Sequence, residues 1–153
     1  MYEVILWGYP RGMRGNHFSD LVRQMDLLES HLNVLRNSGN QISDWGSHWA
    51  KHFSNAGSGA KLMGLGLSTY SKYLYFLKTR VNGRRCLILD NVLIEVFKRR
   101  KFEEFASLQK ISYFSAPKYY VQYLDLMESA SAKLDVEMDQ LEMFLFMFGP
   151  ILT

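Results

Sequence analysis

A mostly helical, compact single domain is the fold that the 153-residue chain predicts. Apolar residues recur every three or four positions in most of the long segments, which is the period of an amphipathic α-helix. Strand signals are confined to two short runs, residues 2–7 and 86–89. Hydrophobic residues make up 48% of the chain and charged residues 22%, as in an ordinary globular protein. The length suits one hydrophobic core over residues 1–153.

The N-terminal half contains three predicted helices, over residues 19–36, 43–52 and 67–81. Ser19 or Asp20 can cap the first helix, and Ser43 or Asp44 can cap the second. A glycine- and serine-rich stretch, SNAGSGA, separates the second helix from the third and is typical of a turn.

The C-terminal half contains three more predicted helices, over residues 91–101, 118–134 and 137–148. The NGRR stretch at residues 82–85 precedes them and indicates a turn or loop. Gly149 and Pro150 end the last helix. No apolar run reaches the ~18 residues that a membrane span needs, and the N-terminus lacks the features of a signal peptide.

Cys86 is the single cysteine, so no internal disulfide can form. It lies in the apolar run CLIL, and we expect a buried, inert thiol there. A cytoplasmic protein fits these features.

The charge is distributed unevenly although the net charge is only +3. Residues 72–101 contain nine Lys or Arg and two acidic residues, a net charge of +7. Residues 119–153 contain one lysine and six acidic residues, a net charge of −5. This pattern predicts either a face that binds a polyanion, or two solvated faces that partly neutralise each other.

Two glycines one residue apart, Gly64 and Gly66, precede the third predicted helix in LMGLGLSTYSKYLYFL, residues 62–77. A helix N-terminus presents unpaired N–H groups and the positive end of the helix dipole, so it binds anions. Glycine allows a backbone to approach a phosphate closely. The stretch can therefore bind a phosphate through its backbone amides, although such turns also allow two helices to pack closely together.

This stretch, followed by LILDN at residues 87–91, resembles the helix-hairpin-helix and aspartate signature of base-excision DNA glycosylases. More closely, the chain is similar to a bacterial 8-oxoguanine DNA glycosylase-like (OGG-fold) family. The similarity extends to WGYPRGMRG near the N-terminus and LEMFLFMFG at residues 141–149. The resemblance implies an all-helical protein that grips duplex or single-stranded DNA through the hairpin and flips a base into a pocket. Proteins of this kind are found beside antiviral defence genes.

The resemblance implies roles for particular residues. It assigns the catalytic aspartate to Asp90, which precedes a predicted helix and has N-capping as its structural alternative. It assigns DNA-backbone binding to the hairpin and to the basic residues that follow, namely Gly64, Gly66, Ser68, Lys78, Arg80, Arg84 and Arg85.

The lysine differs from the pattern of the resembling family. Its bifunctional members carry a nucleophilic lysine two residues after the second hairpin glycine, and Ser68 occupies that place here. Lys72 lies four residues further, on the same helical face. A lysine nucleophile must lose its charge, which requires burial or a cationic neighbour. Lys72 is therefore the nucleophile, a surface lysine whose stem is partly buried, or a contact to phosphate.

Aromatic and cationic residues near the two termini are candidates for the base pocket. They are Trp7, Tyr9, Arg11, Arg14, Phe144, Phe146 and Phe148. Aromatic side chains stack on an unpaired base and arginine reaches toward an anion. Packing in the core is the alternative for Phe144 and Phe148, which lie one helical turn apart.

No signature of another chemistry is found. His48 and His52 lie one turn apart without a suitably spaced third metal ligand, so we expect an exposed helical pair, no metal and no cofactor. Two hypotheses result. The first is a DNA N-glycosylase, with or without lyase activity, that excises a modified purine. The second is a non-catalytic module that binds nucleic acid or a protein of an antiviral defence system.

Overall fold

The computed structural model describes residues 22–53, 62, 65–99 and 101–152. This part of the chain forms six α-helices, one 3₁₀ helix and one small sheet. The elements in chain order are α1 (Met25–Asn37), β1 (Gln41–Ile42), α2 (Trp45–Phe53), α3 (Leu67–Phe76), β2 (Arg80–Val81), β3 (Arg84–Arg85), α4 (Asn91–Lys98), the 3₁₀ helix (Glu103–Leu108), α5 (Ala116–Leu134) and α6 (Met138–Phe148). The prediction of a mostly helical protein is confirmed.

Helix α3 ends at Phe76, five residues before the predicted end at residue 81. Lys78 adopts a left-handed conformation with φ 55°. The amide of Lys78 donates to the carbonyl of Tyr75, and the amide of Thr79 donates to the carbonyl of Leu74, both at 2.9 Å. This pair of bonds forms a Schellman motif, which usually carries glycine at the left-handed position. Because a lysine occupies that position here, the sequence did not indicate the end of the helix.

The three strands are two residues long each. Strand β2 pairs in parallel with β1 and antiparallel with β3. Asn82 and Gly83 connect β2 to β3 with φ values of 50° and 82°. Asn-Gly is the preferred pair for a two-residue hairpin turn, because both residues need positive φ. The predicted turn at residues 82–85 is therefore part of a hairpin, and strands this short leave no alternating pattern for sequence analysis to find.

The prediction of a strand at residues 86–89 is wrong. The segment is buried and pairs with no strand among the described residues. Side chains form hydrogen bonds with backbone groups of this segment instead. Tyr120 donates its hydroxyl to the carbonyl of Leu87 at 2.7 Å, and the amide of Leu89 donates to Ser71 Oγ at 3.2 Å. Residues 2–7, the other predicted strand, lie outside the described residues.

Helix α5 runs through the centre of the core. It contacts α2, α6, β3 and the 3₁₀ helix, and the side chains of Tyr120 and Tyr123 are completely buried. The indole Nε1 of Trp45 donates to the carbonyl of Pro117 at 2.7 Å, which ties α2 to the start of α5. Cys86 is buried in this core, and burial raises the pKa of its thiol to about 12, so the expected inert thiol is confirmed. Across the described ranges, no helix combines the length and apolar character that crossing a bilayer requires.

Three histidines, His31, His48 and His52, form a cluster between α1 and α2, which corrects the expectation of an exposed pair. Their ring centroids lie 4.3–5.3 Å apart. The Nε2 atoms of His31 and His48 lie 2.8 and 2.7 Å from the hydroxyl of Tyr70. Burial, followed by nearby positive charges, lowers the pKa of His31 to about 4 and of His48 to about 3. No group of metal-ligating side chains suited to a metal ion occurs among the described residues.

Acidification should destabilise the protein through this histidine cluster. The pKa of His31 is about 4 in the folded protein and 6.5 in a model histidine, so the unfolded state takes up the proton first as pH falls. The stability that neutral His31 contributes is therefore fully present above about pH 6.5, and it is lost progressively as the pH falls below that value. For His31 alone, the free energy of unfolding should fall by about 3 kcal/mol between pH 7 and pH 4. Urea unfolding should show a correspondingly smaller loss in His31→Gln, and an equal loss would contradict this assignment.

Candidate active site

A cavity of about 410 Å³ lies where α3, the buried segment before α4, the start of α4 and α6 meet. Its volume falls in the range of ~300–1,000 Å³ that small-molecule sites occupy. The described residues that line it are Ser68, Lys72, Ile88, Asp90, Asn91, Val92, Leu93, Glu142, Met143 and Phe146. Three of them are ionisable. Sequence analysis singled out two of the three, Lys72 and Asp90, and the fold brings both to the same cavity.

Lys72 reaches the cavity from the second turn of α3. Its side chain is buried, with 7% of the residue surface exposed. Burial lowers the pKa of the Lys72 ammonium, and the Asp90 carboxylate opposes part of that change. Ser68 lies one turn earlier on the same helix and also lines the cavity, as a spacing of four residues predicts. The surface-lysine alternative for Lys72 is therefore wrong.

Asp90 caps the N-terminus of α4. Its Oδ1 accepts hydrogen bonds from the amides of Val92 at 3.0 Å and Leu93 at 3.1 Å. Both cap bonds use Oδ1, so capping does not consume Oδ2. The N-capping alternative for Asp90 is confirmed, and the capping residue also lines the cavity. Its catalytic role stays a prediction.

Gly66 is the N-cap of α3 and has an ordinary extended conformation, with φ −75° and ψ 167°. Its lack of a side chain is explained by packing, because a Cβ atom at Gly66 would collide with the hydroxyl of Tyr113. A glycine N-cap has no side chain to bond the first-turn amides, and anion binding at this end of α3 stays a prediction. Gly64 lies outside the described residues.

Glu142 is the ionisable cavity residue that sequence analysis missed. It projects from α6 and has 8% of its surface exposed. Burial, the largest effect, raises the pKa of its carboxyl group to about 8, and the negative charges of Asp90 and Asp139 act in the same direction. One signal was present in the sequence, since Glu142 is the single charged residue in LEMFLFMFG. Phe146, one turn later on α6, lines the same cavity.

Two of the four predicted DNA-binding cations are engaged by the acidic C-terminal helices. Arg84 forms ion pairs with Asp125 and Glu128, and Arg85 pairs with Asp139 at 2.8 Å. The acidic helices thus neutralise part of the basic segment, and a polyanion-binding face stays a prediction.

The other two predicted DNA-binding cations, Lys78 and Arg80, are exposed. The Nη1 of Arg80 donates to the carbonyl of Gly83 at 2.8 Å, which holds the arginine against its own hairpin. Lys78 follows the end of α3 and Arg80 is the first residue of β2, so both come after the C-terminal end of the helix whose N-terminus carries Gly66.

The candidate base-pocket residues are not brought to one cavity in the described part of the chain. Trp7, Tyr9, Arg11 and Arg14 lie outside it. Phe146 lines the cavity, whereas Phe148 is 46% exposed and lines a second, more open depression with Arg85 and Asp139. The expectation that Phe144 and Phe148 belong to the core is wrong, because both are exposed and their tilted rings contact each other with centroids 5.5 Å apart.

Comparison with known proteins gives one family. A family model described as "Putative 8-oxoguanine DNA glycosylase OGG-like protein" matches residues 1–146. The matched range contains all three ionisable residues of the cavity. No curated protein and no solved structure matches the chain.

Proposed function

The chain belongs to the family of OGG-like 8-oxoguanine DNA glycosylases, and on this premise we propose that it binds DNA and excises an oxidised or otherwise modified purine. The observation that carries the proposal is that Lys72 and Asp90 line one cavity of about 410 Å³. Enzymes that act on a base extrude it from the duplex into such a pocket. Phe146 offers an aromatic surface in this cavity on which a flipped base can stack.

Lys72 is the proposed nucleophile. A neutral amine is required for attack on the sugar C1′ atom, and burial of Lys72 favours the neutral form. Attack forms an N–C1′ bond as the bond between C1′ and the base breaks. The product is an aminal, which becomes a Schiff base when its nitrogen loses a proton and the C1′–O4′ bond opens, with O4′ leaving as a hydroxyl group. The Schiff base provides a route to cleavage of the DNA strand, which is the lyase activity of bifunctional glycosylases.

Asp90 is the proposed electrostatic partner of this reaction. Positive charge develops on the sugar as the N-glycosidic bond breaks, and a fixed carboxylate stabilises it. The cap bonds to the amides of Val92 and Leu93 hold the carboxylate in place before the reaction begins. This preorganisation reduces the reorganisation that the transition state would otherwise require.

DNA binding is assigned to the N-terminal end of α3 and the cations that follow this helix. The backbone amides after Gly64 and Gly66 can donate hydrogen bonds to a phosphate, and the exposed Lys78 and Arg80 add positive charge. The ion pairs of Arg84 and Arg85 make these two residues weaker candidates for phosphate contacts. A cytoplasmic location is consistent with this function and remains part of the proposal.

The second candidate function is a non-catalytic module that retains the fold and binds nucleic acid or a protein of an antiviral defence system. The observation that favours it is Ser68, which occupies the position where the resembling bifunctional enzymes carry the nucleophilic lysine. Absence of base release by the purified protein from DNA with oxidised, deaminated and alkylated purines would reject the enzyme and leave this module.

Lys72→Gln should abolish covalent trapping. If Lys72 forms the Schiff base, borohydride will reduce it to a stable protein–DNA adduct in the wild type and form none in the variant. Lys133→Gln is the matched control, since Lys133 is an exposed lysine on α5. Gel electrophoresis of the reduced mixtures measures the adduct. An adduct that persists in Lys72→Gln would assign the nucleophile to another amine.

Asp90→Asn should separate the two roles of Asp90. Asparagine caps a helix about as well as aspartate, so the melting temperature and DNA affinity should be nearly unchanged. Base release should fall by roughly 10²-fold or more, because the negative charge is lost. Asp90→Ala is the companion variant and should lose about 1 kcal/mol of stability in addition. Full activity in Asp90→Asn would remove the residue from the catalytic mechanism.

Lys78 and Arg80 should contribute to the salt dependence of DNA binding. Affinity should fall with salt, and each removed phosphate contact should reduce the slope of log K against log salt by about 1. Lys78→Gln and Arg80→Gln should each show this reduction in titrations by fluorescence anisotropy. Arg84→Gln is the comparison and should leave the slope nearly unchanged, because Arg84 is paired with Asp125 and Glu128. Salt-independent binding would contradict the assignment.

A further inference from the structure

Glu142 is a buried acid in the cavity to which the proposed roles of Lys72 and Asp90 assign no task. Burying a carboxyl group costs free energy, and the position lies on α6 beside apolar residues that line the same cavity, Met143 and Phe146. The chain also builds specific hydrogen-bond partners around this carboxyl group. The cost of burying Glu142 depends on whether its carboxyl group is protonated.

The hydrogen bonds around Glu142 are consistent with a protonated carboxyl group. The Tyr123 hydroxyl lies 3.0 Å from the carbonyl oxygen of Ile88 and 2.9 Å from Glu142 Oε1. A tyrosine hydroxyl has one proton, and a carbonyl oxygen has none. If Tyr123 donates to Ile88, the contact with Glu142 is satisfied only when the carboxyl group donates its own proton to the Tyr123 oxygen. A protonated Glu142 therefore satisfies both contacts.

The electrostatic surroundings favour the same state. The groups that face Glu142 are Asp90 at the start of α4, Tyr123 on α5 and Asp139 on α6, while Lys72 on α3 lines the same cavity. Burial and the two carboxylates raise the pKa of Glu142 to about 8, although its hydrogen bonds with Tyr123 and the Ile88 amide oppose this. These surroundings favour the protonated acid near neutral pH, which is the condition for general acid catalysis near pH 7.

We propose that Glu142 is the general acid that protonates the departing base, an inference that rests on the proposed glycosylase function. When Lys72 attacks, its N–C1′ bond forms and the bond from C1′ to the base breaks, with the electron pair leaving on the base. The proton of Glu142 passes to a ring nitrogen of the departing purine. The Glu142 carboxylate then takes a proton from the Lys72 nitrogen, which became cationic on attack. The acid is restored, and one proton has moved from the amine to the base.

The two carboxyl groups of the cavity then have different tasks because their surroundings differ. Asp90 accepts two backbone hydrogen bonds at a helix N-terminus, where a negative charge interacts favourably with the helix dipole. Glu142 lies buried on α6, and this setting favours a proton. Opposed environments for two acids are a recurring way to obtain an acid and an anion in one site.

Glu142→Gln tests the inference with little change in shape. The glutamine amide can donate to the Tyr123 oxygen and accept from the Ile88 amide, as the protonated acid does, but it cannot release a proton. Melting temperature and DNA affinity should remain at wild-type values, and the rate of base release under single turnover should fall by roughly 10²-fold or more. Glu29→Gln, at an exposed position on α1, is the matched control and should have no effect.

The pH dependence separates a catalytic from a structural role. The acid form of Glu142 is lost as pH rises through about 8, so the wild-type rate should decline above that pH, and this decline should be absent in Glu142→Gln. The ¹³C carboxyl resonance of Glu142, assigned by its loss in the variant, should show the protonated form at pH 6.5. An ionised Glu142 at that pH overturns the inference.

The rates distinguish failure of this inference from failure of the proposed function. Wild-type base release together with an unchanged rate and pH profile in Glu142→Gln would overturn the role of Glu142 alone. An absence of base release in the wild type would overturn the glycosylase function and the acid role together.

Discussion

The candidate site depends on hydrogen bonds that hold a buried, irregular segment, residues 86–90, against α3 and α5. Tyr120 and Tyr123 donate to the carbonyls of Leu87 and Ile88, and Ser71 accepts from the amide of Leu89. Buried backbone groups without partners cost about 1–3 kcal/mol each, so these side chains make the segment possible. The segment delivers Asp90 to the start of α4, at the edge of the cavity that Lys72 reaches from α3.

The same tyrosines connect helix α5 to the residues that line the cavity. Tyr123 bonds the backbone beside Asp90 and also contacts Glu142, so one side chain helps to place both acids of the cavity. Both tyrosines are fully buried, and burial raises the pKa of each phenol well above its usual value, which keeps the hydroxyls protonated as donors. Rigid support of this kind suits a site in which charge must be placed before the reaction.

Charge pairing within the protein limits where DNA can be bound. The basic segment contains residues with the charge to grip a phosphate backbone, yet Arg84 and Arg85 are directed to carboxylates of α5 and α6. These pairs help to hold the β2–β3 hairpin against the acidic helices. Lys78 and Arg80 stay exposed, the first just after α3 and the second at the start of β2. Some of the basic residues therefore stabilise the fold through ion pairs, and others are candidates for binding the proposed DNA ligand.

Local patterns in the sequence determined the helices, the Asn-Gly turn and the helix cap at Asp90. Each of these depends on neighbours within about four residues, as helix periodicity, turn dihedrals and capping do. They also fixed the shared face of Ser68 and Lys72, because a spacing of four residues repeats one helical turn.

Only the tertiary structure decided which distant groups meet. It buried residues 86–89 without a strand, because tyrosines more than 30 residues away supply the hydrogen bonds. It placed Glu142 beside Lys72 and Asp90, and it packed His31 against a pair of histidines on another helix. Protonation states follow from burial and from partners remote in sequence, so no local pattern could reveal the raised pKa of Glu142 or the lowered pKa of His31.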